Sequence, residues 1–349
     1  MNICVVGLGN IGLNLYTHLL SIFPNSVTGI DINRSRVSEL KKLGYRVAWD
    51  YTAVNGVDVW LLVPSTGPNG ENIVLALEQM EISPGSLISI ESTLPPDTMY
   101  RVRCHLKDRG FELGRSLYLI HVPHRVMFGY DKTVCDTPRV MGAFTRECLA
   151  KGREFYQPLV PQIVETLDVR VAELSKIVEN AKRYVDIAFA QEIYRYCAAA
   201  GLSFEELRQA VNSKENVDLL AVDWGIGGEC LPKDIGFLRK VVASPLLDGA
   251  VEADTSFQYQ VLKQTGTGKK ILVRGVSYKP GVKNLEHSIG VKLVKALVLS
   301  GNDVFVEDPL FSPEELTEAG LRPFRTDGRS VQPDVVLNRN APLAGQQKF

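Results

Sequence analysis

The chain opens on Asn2-Ile3-Cys4-Val5-Val6, a short apolar run that breaks at Gly7-Leu8-Gly9-Asn10-Ile11-Gly12. Beyond the break Leu15, Leu19 and Ile22 recur at helical spacing. The order strand, glycine turn, helix narrows the possible folds sharply. Gly7 suits a tight turn, Gly9 lets backbone approach a pyrophosphate, and Gly12 lets the helix pack closely on a sheet. A second apolar run, residues 27–30, ends in Asp31. This places an acid about twenty residues after the turn, where the adenosine ribose hydroxyls of a dinucleotide are accepted and a 2′-phosphate is repelled. The pattern favours NAD over NADP, a preference that Arg34 and Arg36 weaken. Gly7, Gly9, Asn10, Ile11, Gly12 and Asp31 form the expected cofactor site, with Val63 and Thr93 at the ends of later strands.

Further apolar runs at residues 57–63, 86–90 and 118–122 alternate with helical stretches, which predicts a mostly parallel, doubly wound sheet. From Asp168 to Ala200 a long helix is expected. Its period near 3.6 places Val171, Leu174, Val178, Ala181, Val185 and Ala188 on one buried stripe. After a helical middle section a new strand starts at Lys269, breaks at Gly275, and leads into a helix at 288–300, a strand at 303–306, a helix at 313–319 and a last strand at 335–337. No internal repeat is evident in these residues. The fold class expected is α/β: an N-terminal Rossmann-like domain (1–165), a central helical domain (166–264) and a smaller C-terminal Rossmann-like α/β domain (265–349). The last dozen residues, Asn338 to Phe349, read as a frayed end.

Of the 349 residues 45% are hydrophobic, and 39 Lys and Arg face 40 Asp and Glu, a net charge of −1 that leaves no electrostatic footprint for nucleic acid or an anionic membrane. The six cysteines form no CxxC pair, so neither a zinc site nor a disulfide framework is indicated. No apolar run reaches the roughly 18 to 20 residues that span a bilayer, and the N-terminus lacks a signal-peptide pattern. A cytoplasmic protein with reduced thiols is expected.

Gly225-Ile226-Gly227-Gly228-Glu229-Cys230-Leu231-Pro232-Lys233-Asp234 pairs a thiol with a carboxylate behind three glycines. Such glycines suit a backbone that comes near a ligand. A tight turn with a buried Cys230 at a helix start fits equally. Lys176 and Asn180 share a helix face, expected opposite the apolar stripe, and solvated side chains account for them as well. Ser92-Thr93 sits at a strand's carboxyl end, as a ligand contact or as a turn before Pro95-Pro96. His121 and His124 flank Pro123 without a third ligand nearby, so no metal site is read.

In this order, residues 7–12, Glu91-Ser92-Thr93-Leu94-Pro95-Pro96, residues 173–180, Gly227 to Asp234 and Gly275-Val276-Ser277-Tyr278-Lys279-Pro280 resemble the UDP-glucose/GDP-mannose dehydrogenase family over nearly the whole chain. The resemblance implies NAD-dependent four-electron oxidation of a nucleotide sugar at C6, through an aldehyde and a thioester on Cys230. It implies that Lys176 and Asn180 stabilise an oxyanion, that Asp234 with Thr93 places water, and that Gly227 and Lys279 contact the substrate. Lys214 stands about where members carry an arginine that reaches the neighbouring subunit, and a homodimer through the central domain is implied. Three departures stand out. His124 replaces a carboxylate that assists hydrolysis. Lys283-Asn284-Leu285-Glu286-His287-Ser288 replaces Asp-Asp-Leu-Arg-Glu-Ser. The C-terminal domain is also short. Two alternatives therefore remain, a degenerate paralogue that binds without turnover and a two-electron hydroxyacid-type dehydrogenase.

Overall fold

A computed structural model of the protein describes residues 1–125, 135–279, 281–324 and 332–339. The chain divides into two compact units, Met1–Ile177 and Val178–Phe349. Pro280 and residues 340–349, both included in the sequence expectations, lie outside the described residues.

Unit 1 runs β1 (Ile3–Val6), α1 (Asn10–Ile22), β2 (Val27–Ile30), α2 (Arg34–Lys42), β3 (Val47–Ala48), β4 (Val59–Leu62), α3 (Glu71–Gln79), β5 (Leu87–Ile90), α4 (Thr98–Asp108), β6 (Tyr118–His121), β7 (Arg139–Ala143), α5 (Arg146–Tyr156) and β8 (Ile163–Thr166). Among the described residues these strands form one sheet in the order β3-β2-β1-β4-β5-β6-β7-β8. Among the described residues every pairing in this sheet is parallel except β6 with β7. β1, β4 and β5 are buried along their whole length, which is why they read as apolar runs, broken only by Ser89 in β5. β7 and β8 extend the sheet beyond the strands expected from sequence. β7 carries the fully buried Arg139, and β8 is mostly half-exposed, so neither presents a clear apolar run.

The helix α6 (Val169–Ala200) spans 32 residues, as its period predicts, but its buried stripe differs from the expected one. Val171 and Val178 are exposed, while Ala172, Glu173, Ile177, Asn180, Ala181, Tyr184, Ala188 and Gln191 are buried. Asn180 therefore lies on the packed face, not opposite it. Polar residues at the buried positions hid the true stripe from a reading based on hydrophobicity.

Unit 2 continues with α7 (Phe204–Asn212), α8 (Cys230–Val241), α9 (Pro245–Thr265), β9 (Lys270–Arg274), α10 (Ile289–Leu299), β10 (Asp303–Glu307), α11 (Pro313–Glu318) and β11 (Val335–Asn338). β10, β9 and β11 form a second parallel sheet in that order. Asn338 belongs to its last strand, so the frayed end expected from sequence does not begin there. The α/β architecture, with its long helix and small second sheet, is the one expected.

His121 closes β6, fully buried, with Nδ1 2.8 Å from the Ile90 carbonyl, to which it donates. Desolvation lowers its pKa to about 4. A histidine depressed in the fold binds its proton more tightly when unfolded, so stability falls as pH drops below the unfolded value of about 6.5, and the loss is complete below about 4. Between pH 7 and pH 5 this residue should remove about 2 kcal/mol. His121→Phe should flatten that part of the urea-denaturation profile, and equal losses in both proteins would rule the assignment out.

Candidate active site

In unit 1 the glycine turn is built as its spacing requires. Gly7 has φ +90°, and a Cβ there would lie 2.7 Å from Pro64 N, while one on Gly12 would lie 1.8 Å from Gly7 O. Gly9 caps α1 without a side-chain hydrogen bond, and a Cβ on it would meet no atom within 4 Å. The first-turn amides of α1, which begins at Asn10 and Ile11, are thus left for an anion. Asp31 accepts the Leu8 N–H at 2.7 Å and the Asn33 N–H at 2.8 Å. A carboxylate has about four acceptor positions, so two remain, enough for a ribose diol. Val63 is tied to β1 through its N–H to Val6 O at 2.7 Å, and the half-buried Thr93 accepts the Thr66 hydroxyl at its carbonyl, 3.3 Å away. These residues fit a dinucleotide.

His124 is buried, with Nε2 2.8 Å from Glu91 Oε2. Glu91 is fully buried and also accepts from Arg139 Nη2 at 2.8 Å and from the Tyr156 hydroxyl at 2.5 Å. Desolvation pushes the Glu91 carboxyl up, but His124, the Arg139 guanidinium and the Tyr156 hydrogen bond outweigh it and bring it down to about 2. Burial and then the Arg139 charge push His124 below its ordinary value, so it is neutral near pH 7. Lys176, half-buried on α6, lies within electrostatic reach of His124. Sequence reading gave no role to Glu91 or Arg139. The one available signal was an acid directly following a buried, mostly apolar strand.

In unit 2 Cys230 is the first residue of α8 and is exposed, which sets aside the reading of a buried packing thiol. Its place at a helix N-terminus favours negative charge on sulfur. Asp234, one turn on, is fully buried and accepts from Asn180 Nδ2 at 2.5 Å and from Lys233 Nζ at 2.8 Å. The structure thus pairs two of the expected site residues directly. The glycine run owes its composition to close packing: a Cβ on Gly228 (φ +87°) would lie 2.9 Å from the Tyr278 ring, and one on Gly227 would lie 3.0 Å from Ile289 N. Tyr278 and the half-buried Lys279 both sense Cys230 and Arg183 electrostatically, and desolvation followed by Arg183 lowers the Lys279 pKa. Arg183 and Tyr278 were not expected as site residues. Lys214 is exposed beyond α7.

Two clamps hold the cysteine loop. Asp254 of α9, buried, accepts from Ile226 N at 2.8 Å, Gln191 Nε2 at 2.8 Å, Gln258 Nε2 at 2.7 Å and the Tyr184 hydroxyl at 3.3 Å. On the other side Arg339 donates to Asp223 Oδ2 from Nε at 2.9 Å and Nη2 at 2.7 Å, and to the carbonyls of Ser277 and Tyr278. Between them Trp224 is buried among Ile271, Val273 and Leu337 of the small sheet.

Residues 170–252 match the family model for the UDP-glucose/GDP-mannose dehydrogenase family, central domain. The chain is 29% identical to a UDP-N-acetyl-D-mannosamine dehydrogenase from Methanocaldococcus jannaschii, over 91% of this chain and 82% of that one. These matches support the UDP-glucose/GDP-mannose dehydrogenase family. The chain is also 27% identical to an NDP-N-acetyl-D-galactosaminuronic acid dehydrogenase from Ralstonia solanacearum, over 99% and 91% of the two chains. Its fold is similar to that of a UDP-D-ManNAc dehydrogenase from Pyrococcus horikoshii, with a TM-score of 0.81, 23% identity, and 97% and 89% of the chains covered.

If Asp254 fixes the cysteine loop, Asp254→Asn should cost about 3 kcal/mol, because an amide sets a donor against donors that a charged acceptor had satisfied. Local hydrogen exchange should rise at Ile226 and its neighbours. An unchanged denaturation midpoint would remove Asp254 from this role.

Proposed function

We propose that the protein is an NAD-dependent nucleotide-sugar 6-dehydrogenase that oxidises a UDP-hexose-type substrate by four electrons to the uronic acid. The observation that carries this reading is an exposed Cys230 at a helix start, held by a doubly clamped glycine loop beside the Asn180–Asp234 pair. Relatives named as dehydrogenases of N-acetylated nucleotide sugars support the substrate class.

Gly7, Gly9, Asn10, Ile11, Gly12, Asp31, Val63 and Thr93 would hold NAD, which supplies the hydride acceptor for each oxidation. The Cys230 thiolate would add to the aldehyde carbon, forming a C–S bond. The second oxidation then starts from an alcohol-like thiohemiacetal and ends at a thioester. Lys176 and Asn180 would stabilise the negative charge that develops on the substrate oxygen. Asp234 and Thr93 would position water for hydrolysis, which breaks the C–S bond and returns the proton to sulfur. His124, neutral near pH 7, would be the base where relatives of this family carry a carboxylate. Gly227 and Lys279 would contact the nucleotide sugar.

A homodimer is part of the same proposal, with Lys214 reaching the partner copy's substrate. Val178, Phe189 and Tyr196 fall on one line of α6 and are exposed. Such a stripe suits a second copy better than water. The six thiols form no disulfide, which suits a cytoplasmic setting. Phe189→Asp should turn a dimer into a monomer in sedimentation velocity, and an unchanged dimer would move the interface elsewhere.

The central test is incubation with NAD and a panel of UDP- and GDP-sugars. Two NADH should appear per acid formed with at least one sugar. Cys230→Ser should stall after the aldehyde or at an ester, with turnover down by at least about 100-fold. A steady-state rate that survives the substitution contradicts the thioester route. A ratio of one NADH per product supports a two-electron enzyme, and NAD binding without turnover on any sugar supports a degenerate one.

A further inference from the structure

Glu173 belongs to α6 but bonds to another helix. It is 1% exposed, and its Oε1 accepts the Met99 N–H of α4 at 2.8 Å. The Asp97 N–H faces the same carboxyl. Asp97 stands at the N-cap of α4 with φ +64° and makes no capping bond with its own side chain. The first amides of a helix need an acceptor from outside its own ladder, and here a carboxyl group on a separate helix supplies it.

The start of α4 also fixes one end of the segment that carries Thr93. The other end is held by the sheet: Glu91 N–H and Ser92 N–H both donate to Leu62 O, at 2.8 and 3.3 Å, and the Ser92 hydroxyl donates to Pro64 O at 2.6 Å. Between the two ends lie Thr93, Leu94, Pro95 and Pro96, and the prolines have no N–H with which to anchor themselves. Thr98 donates to Pro95 O from its N–H at 3.3 Å and from its hydroxyl at 2.6 Å. Wherever the start of α4 sits, the Thr93 segment follows. Glu173 ties that start to α6, three residues before Lys176 and next to it on the helix surface.

We propose that Glu173 is a positioning residue: by capping α4 from α6 it sets the Thr93 segment in register with Lys176. This rests on the reading of Thr93 and Lys176 as site residues given above. The same geometry makes the link sensitive to pH. Glu173 Oε2 is buried without a hydrogen-bond partner, so ionisation puts charge on an oxygen to which nothing donates. Desolvation pushes the carboxyl up to about 7; the Met99 and Asp97 N–H groups oppose this, the Asp97 charge adds to it and the Arg101 guanidinium opposes it. Arg170 of α6 reaches Asp97 in turn. A carboxyl raised in the fold holds its proton more tightly with the link closed than with it open. The link is therefore at full strength below the ordinary value of about 4.3. It weakens as pH rises through about 7.

Hydrogen exchange of the full-length protein, corrected for the intrinsic rate at each pH, reads the link without substrate or cofactor. Protection at Met99 should fall about tenfold between pH 6 and pH 8, and the Thr93 and Leu94 amides should fall with it. In Glu173→Gln, which keeps an acceptor oxygen and does not ionise, protection at all three should stay level over that range. Glu173→Ala should lose at least about tenfold already at pH 6. Level protection in the unsubstituted protein, the same pH dependence in Glu173→Gln, or a fall confined to α4 that leaves Thr93 and Leu94 unmoved would each overturn the proposal. Circular dichroism confirms that the variants are folded, and the first two comparisons decide the matter without Glu173→Ala. None of these readouts needs turnover, so a failure here is distinct from a failure of the oxidation proposed above.

Discussion

One buried carboxylate holds the cysteine loop to the helical part of unit 2. Asp254 accepts from α6, from α9 and from the backbone of the loop itself, and each donor would be costly to bury unpaired. A loop with glycines at 225, 227 and 228 has high conformational entropy in the unfolded chain. A single acceptor with four donors offsets that by removing several bad alternatives at once. The position of Cys230 therefore depends on residues far from it in sequence, and no local propensity would have held it.

Unit 1 uses the same device with charge added. Glu91 takes a guanidinium, a phenol and an imidazole in a space that excludes water. The arrangement is expensive in desolvation, and an apolar core would be cheaper. Burial and the Arg139 charge hold His124 below its ordinary pKa against the opposing pull of Glu91, and its contact with Glu91 fixes it beside an ion pair. A neutral imidazole in this setting becomes a cation when it takes a proton, whereas a carboxylate would become neutral.

The parts legible in the sequence were those where side-chain pattern and backbone demand coincide. The N-terminal strand, turn and helix were readable because Gly7 and Gly12 leave no room for a Cβ. α6 was readable in length but not in face, since Glu173, Asn180 and Gln191 take buried positions that hydrophobicity assigns to solvent. β7 was missed because it carries Arg139, a residue whose burial makes sense only with Glu91 in place. The likeness of unit 2 to unit 1 was legible as a second Rossmann-like alternation of strands and helices, but its bonding detail was not. Its shared features are backbone angles and N–H-to-carboxylate bonds, and Gly275-Val276-Ser277 meets them with different side chains from Gly7-Leu8-Gly9. Of the candidate site, the residue types and their order were legible, whereas the partners Glu91, Arg183, Tyr278 and Arg339 come from elsewhere in the chain and needed coordinates.

The second clamp has a consequence for how the protein is made. Arg339 and its partner Asp223 are 116 residues apart. At the usual pace of translation, about 5 to 20 residues per second, the loop that carries Cys230 waits roughly 6 to 23 s after Asp223 is synthesised before its anchor exists. Trp224, buried in the finished sheet against Leu337 of the late strand β11, is without that partner for the same interval. The bonds that shape the glycine turn of unit 1 run between residues 6 and 63, so vectorial synthesis lets that turn settle first and leaves the thiol loop to be locked last.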